Sequence, residues 1–80
     1  MPRFYFDIDN AHRTVDTLGE EFPDRAAATQ AGMVIMAEVA LDEARQRKPD
    51  FTLTVSIRDE AGETSEIACR FWQPGVGEGS

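Results

Sequence analysis

The chain is poor in the residues that most often carry chemistry, with one cysteine, one histidine and one lysine among 80 residues. With Cys69 alone no disulfide can form within the chain. A small secreted domain of this length ordinarily carries several, so the cytoplasm is the expected compartment. With His12 alone, neither a zinc site of the usual composition nor a Ser-His-Asp arrangement has its partners. Long apolar runs are lacking too. The longest, Met33 to Ala37, falls far short of a membrane span, and Met1 to Asp7 has no signal-peptide core, so no membrane partner is expected. Positive charge is scarce: 8 Lys and Arg stand against 15 Asp and Glu, a net charge of −7. Nucleic acid is therefore a disfavoured partner, because phosphate contacts need local positive charge.

What is present suits one small globular domain: 8.9 kDa, 41% hydrophobic and 29% charged residues. At this size folding buries only about 60–65% of the surface of the unfolded chain, so the core is thin and oligomerisation is a common remedy. A single domain is expected over residues 1–72. The glycine-rich segment 73–80 has the composition of a flexible tail.

Arg3 to Asp9 alternates, with Phe4, Phe6 and Ile8 on one face and Arg3, Tyr5, Asp7 and Asp9 on the other, the pattern of a half-buried strand. Asp9 to His12 is rich in turn formers, and Arg13 to Leu18 carries β-formers, so a hairpin is expected. After Gly19, the segment Glu20 to Asp24 leads into a helix over Asp24 to Arg47, with Asp24 as N-cap and Pro49 as the stop. Phe51 to Arg58 and Thr64 to Trp72 alternate again around Asp59-Glu60-Ala61-Gly62, where Gly62 supplies a positive φ, and form a second hairpin. The order ββαββ predicts an α+β fold. One amphipathic helix lies on a four-stranded, mostly antiparallel sheet, in strand order 2-1-3-4 or, second, 2-1-4-3.

On the helix, Ala28, Gly32, Ile35, Met36 and Val39 form one stripe, with Ala31 and Ala40 at its margins, and this is the face expected on the sheet. Met33, Val34, Ala37 and Leu41 point the other way, where a solvated face is ordinarily polar. That second apolar patch marks a candidate interface.

The opening Met1 to Asp7, the segment Leu18 to Glu21, the helix start Phe22-Pro23-Asp24, the Ala-rich Ala27 to Asp42 and the turn Ile57 to Gly62 together resemble a family of short bacterial proteins known as a domain of unknown function. The resemblance covers about residues 1–72. It implies a bacterial cytoplasmic setting and the domain boundaries above, and it supplies no activity, cofactor or catalytic residue. Met33-Val34-Ile35-Met36 is more apolar than the corresponding helix of the family, which favours a packed partner there.

Other patterns have plainer readings. Asp7-Ile8-Asp9 after an apolar strand looks like the nucleophile motif of aspartate-dependent phosphatases, yet 80 residues hold neither the large parallel sheet nor the remaining motifs. The same segment lacks the Gly and Glu of a calcium loop. Cys69 falls on the inward face of the last strand, where a thiol is expected to be buried and inert. Gly75 to Ser80 mimics a dinucleotide loop, but no helix follows it. Arg3, Tyr5, Arg70 and Trp72 share the outer sheet face, a combination that stacks bases in single-strand RNA platforms; the acidic surroundings oppose this. Asp16, Glu20, Glu21 and Asp24, with Asp59, Glu60, Glu63 and Glu66, suit either a solvated surface or mimicry of nucleic-acid phosphates.

No cofactor, no metal and no enzymatic activity is expected, the enzyme alternative requiring a site shared across a dimer cleft around Asp7, Asp9, Tyr5 or Arg70. The leading expectation is an interaction module that forms a homodimer through the apolar helix face. The alternative is a regulatory domain, antitoxin-like or an acidic mimic, that binds an unknown protein partner.

Overall fold

A computed structural model describes residues 1–46 and 50–72. The elements in chain order are β1 Arg3–Asp9, β2 Arg13–Thr14, β3 Glu20–Glu21, α1 Arg25–Arg45, β4 Phe51–Asp59 and β5 Thr64–Phe71. Every pairing is antiparallel, the order is β2-β1-β4-β5, and β3 joins β1 on the edge that β2 occupies. The fold is α+β with the 2-1-3-4 order, but the sheet has five strands rather than four.

The extra strand arises because Arg13 to Leu18 is not one strand. Only Arg13 and Thr14 pair with β1, and the chain returns to it at Glu20 and Glu21. Between them Asp16 replaces a strand's backbone. Its Oδ2 accepts the Phe6 N–H at 3.1 Å, where a continuous strand would offer a carbonyl, and its Oδ1 accepts the N–H groups of Leu18 and Gly19 at 3.0 Å. Gly19 completes the excursion at φ +69°, where a Cβ would lie 2.8 Å from Tyr5 Cε2 and 2.9 Å from both Arg3 Cγ and the Phe4 carbonyl.

Helix α1 starts where Asp24 Oδ1 accepts the Ala27 N–H at 2.8 Å and ends at Arg45, two residues earlier than its basic terminus suggests, with Gln46 as C-cap. Arg47, Lys48, Pro49 and the segment 73–80, including the expected stop and flexible tail, lie outside the described residues. The helix buries Ala28, Gly32, Met36 and Ala40 at a spacing of four, while Ala31, Ile35 and Val39 sit half-buried at the margin of the core rather than at its centre. Gly32 permits close approach, since a Cβ there would meet Ile57 Cδ1 at 3.2 Å and Phe6 Cε1 at 3.4 Å.

The sheet contributes Phe4, Phe6, Leu53, Val55 and Ile57 to the core, as the alternation requires. Phe22, just before the helix, tilts its ring against Phe4 and Phe6 with centroids 6.2 Å and 5.8 Å apart. The β4–β5 turn is closed by Asp59 N–H donating to the Glu63 carbonyl at 3.0 Å, with Gly62 at φ +90° as expected. Strand β5 stops at Phe71, so Trp72 follows it rather than belonging to it. Glu43 is buried at the far end of α1, where it accepts from Asn10 Nδ2 at 3.0 Å and ties the helix to the β1–β2 turn.

Candidate functional site

On the outer sheet face the alternation places Tyr5 opposite Arg58 and Asp7 opposite Ser56. Asp7 and Ser56 are nevertheless buried: the Val15 to Gly19 excursion and Arg58 close on the Asp7 carboxylate, and Ser56 Oγ donates to Glu66 Oε2 at 3.3 Å. Asp7 Oδ1 accepts the Asp16 N–H at 3.0 Å, Arg58 grips Asp7 through Nε and Nη2 at 3.3 Å each, and Arg58 Nη2 also reaches the Asp16 carbonyl at 3.0 Å. Arg13 adds a longer ion pair to Asp7 at 3.8 Å, and the Arg58 guanidinium lies 4.6 Å from the Tyr5 ring centroid.

Burial pushes the Asp7 carboxyl up, but the hydrogen bonds from Arg58 and the Asp16 amide, with the charges of Arg58 and Arg13, outweigh it and hold the group below its ordinary value. Asp16 is likewise opposed by burial and held low by the Gly19, Phe6 and Leu18 amides and the Arg58 charge. Both carboxylates are thus fixed in their ionised, acceptor form. Asp9 on the same strand face is exposed, 4.0 Å from Arg13. An enclosed, doubly gripped Asp7 beside a solvated Asp9 matches strand and loop fixation, the plainer reading of Asp7-Ile8-Asp9.

A second cluster fixes the start of α1. Arg25 Nη1 donates to the Ile57 carbonyl at 3.0 Å and Ser65 Oγ at 2.8 Å, and its Nη2 to Asp59 Oδ2 at 3.1 Å and the Glu63 carbonyl at 2.9 Å. A cation in the first helical turn opposes the helix dipole. Its place there is explained by the clamp it makes onto the β4–β5 hairpin. Desolvation raises the Asp59 carboxyl, but the Glu63 amide and Arg25 hold it below its ordinary value.

These clusters recast the sites read from the sequence. Arg3 is half-buried against Leu18 and Glu21, and Tyr5 lies under Arg58, whereas Arg70 and Trp72 are exposed at the opposite end of the sheet and stack 5.3 Å apart. Tyr5 shares a row with Arg58 and Thr64, and Arg70 lies six residues further along β5, about 20 Å away at roughly 3.4 Å per residue. The four side chains therefore do not share one site: Arg3 and Tyr5 stand at one end of the sheet with separate partners, and Arg70 and Trp72 at the other. Of the acidic groups, Asp16 and Asp59 are engaged in the clusters above, Asp24 caps α1 and Glu21 faces Arg3, which leaves less free acidic surface than the sequence suggests.

Cys69 is half-buried rather than fully buried on the inner face, and burial pushes its thiol pKa up. His12 is exposed beside Ala11, which adopts φ +87° in the turn. Among the described residues no group of three or more His, Cys, Asp or Glu is placed to hold a metal ion, and no helix is long and apolar enough to cross a membrane.

The roles of Asp16, Arg58 and Arg25 were missed in the sequence. Asp16-Thr17-Leu18-Gly19 does carry an Asx-turn signal, an aspartate two residues before a turn N–H and three before a glycine.

The outer face of α1 lies where the wheel places it. Met33 is 56% exposed, Val34 57% and Leu41 52%, with Ala37 exposed among them. Met33, Ala37 and Leu41 follow at successive spacings of four and Val34 adjoins them, so they form one strip rather than scattered apolar residues.

No curated protein and no solved structure matches the chain. A family model described as a domain of unknown function, DUF6894, matches residues 3–66. That match spans most of the sheet and all of the helix, and the chain belongs to the DUF6894 family.

Proposed function

We propose that this domain is a non-enzymatic interaction module that self-associates through the outer face of α1, with Met33, Val34, Ala37 and Leu41 at the contact. The observation that carries the reading is the exposed apolar strip itself, on a domain with a thin core. A second copy of the chain fits it because a two-fold contact is self-complementary and sets the same apolar strip on both sides. The strip offers about 300 Å² per subunit, worth on the order of 7 kcal/mol before the cost of association. A standard interface buries roughly 800 Å² per partner, so neighbouring helix side chains must join the contact.

The clusters on the sheet support the non-enzymatic part. Their carboxylates and guanidiniums are matched to one another and to backbone amides, which suits fixation of a loop and a helix end. Val34→Glu with Leu41→Glu is expected to lower the sedimenting mass while leaving the circular dichroism spectrum unchanged. An unchanged mass contradicts this interface.

A further inference from the structure

The open edge of β5 is a separate feature. Strand β5 pairs with β4 over eight consecutive positions, Phe71 to Thr64, and no described strand pairs with its other side. Such an edge usually carries charged side chains, a proline or a bulge to block pairing. Here Thr64 to Phe71 contains no proline or lysine, its register with β4 is unbroken, and its two charges, Glu66 and Arg70, are of opposite sign.

The ladder fixes which groups face outward. Asp59 N–H donates to the Glu63 carbonyl, so that pair is hydrogen-bonded, and the alternation of an antiparallel ladder turns the N–H and C=O of Thr64, Glu66, Ala68 and Arg70 away from β4. A second β5 running antiparallel can meet them in several registers. Centring on Glu66 or Arg70 sets that charge against its own copy, and centring on Ile67 or Cys69 sets Glu66 against Ala68 or Trp72. Centring on Ala68 sets Glu66 against Arg70 twice, on the outer face where both are exposed. On the inner face the same register sets half-buried Ile67 against half-buried Cys69, also twice.

We propose that β5 pairs antiparallel with β5 of a second copy about a two-fold axis at Ala68, joining the two sheets into one. The β4–β5 ladder and the charge pattern support this pairing independently of the α1 strip. A chain with two such two-fold surfaces assembles beyond a dimer.

The test is sedimentation equilibrium in the Val34→Glu, Leu41→Glu background, where the strip is blocked and the edge alone remains. The parent of this series is expected to dimerise. Glu66→Arg and Arg70→Glu, made separately, each set two like-charge contacts across the axis and are expected to weaken the dimer at least about tenfold. An equimolar mixture of the two variants restores both opposite-charge pairs, and its association should return to near the parent level. That recovery is not expected of a folding defect. Single variants that associate like the parent, or a mixture no stronger than its components, overturn the edge pairing. So does a monomeric parent when the unsubstituted chain associates, an outcome that leaves the α1 reading standing. An unsubstituted chain that stays monomeric removes both.

Discussion

Asp16 converts a stretch whose β-formers favour a strand into a loop, by taking three backbone N–H groups on one carboxylate. Asp16→Ala leaves the Phe6 amide without its acceptor beneath the excursion. The expected loss is about 2–3 kcal/mol in urea unfolding, against no more than about 0.5 kcal/mol for Thr17→Ala on the exposed side of the same loop. Gly19→Ala combines a left-handed backbone with contacts of 2.8–2.9 Å to Tyr5, Arg3 and Phe4, and a loss above about 2 kcal/mol is expected. Acid should loosen both clusters. Asp7, Asp16 and Asp59 titrate below their ordinary value in the folded chain. A depressed carboxyl stabilises the fold above its unfolded pKa and loses that contribution as pH falls through the folded pKa. The urea midpoint should therefore vary little from about pH 7 to pH 5 and fall below about pH 4. A midpoint that rises on acidification contradicts the assignment.

At the scale of elements, β1, β4, β5 and α1 were legible because each carries its own period, two for the strands and a spacing of four for the buried helix positions Ala28, Gly32, Met36 and Ala40. The turn at Gly62 and the cap at Asp24 were legible from local chemistry. The second strand was not, because the group that ends it is a side chain bonding to a strand ten residues away. Alternation reads Asp7 and Arg58 as solvated outward positions, whereas the Asp16 loop and Arg58 together enclose the Asp7 carboxylate. Arg25 reads as an unfavourable cation at a helix start, and its reason lies in the β4–β5 hairpin. Arg25→Met keeps the alkyl stem and removes four donated hydrogen bonds. It should lower stability by about 2 kcal/mol and speed hydrogen exchange in the first turn of α1 ahead of the rest of the helix. Uniform exchange along α1 contradicts the clamp.

At the scale of the whole molecule, one helix covers one face of a small sheet, and two features of the described residues stay open to association. One is the apolar strip of α1, and the other is an edge strand with no proline, lysine or bulge, whose two charges are of opposite sign. The strip was legible as the apolar residues left over on the helix wheel. The edge required the strand order and the hydrogen-bond phase of the β4–β5 ladder. Under the two proposals each surface pairs with its own copy about a two-fold axis, and self-association is then the expected working state of the domain. The most direct test is sedimentation equilibrium on the unsubstituted chain over a concentration series. A mass rising with concentration to twice the 8.9 kDa of the chain or beyond it is expected. A mass that stays at 8.9 kDa across the series contradicts self-association.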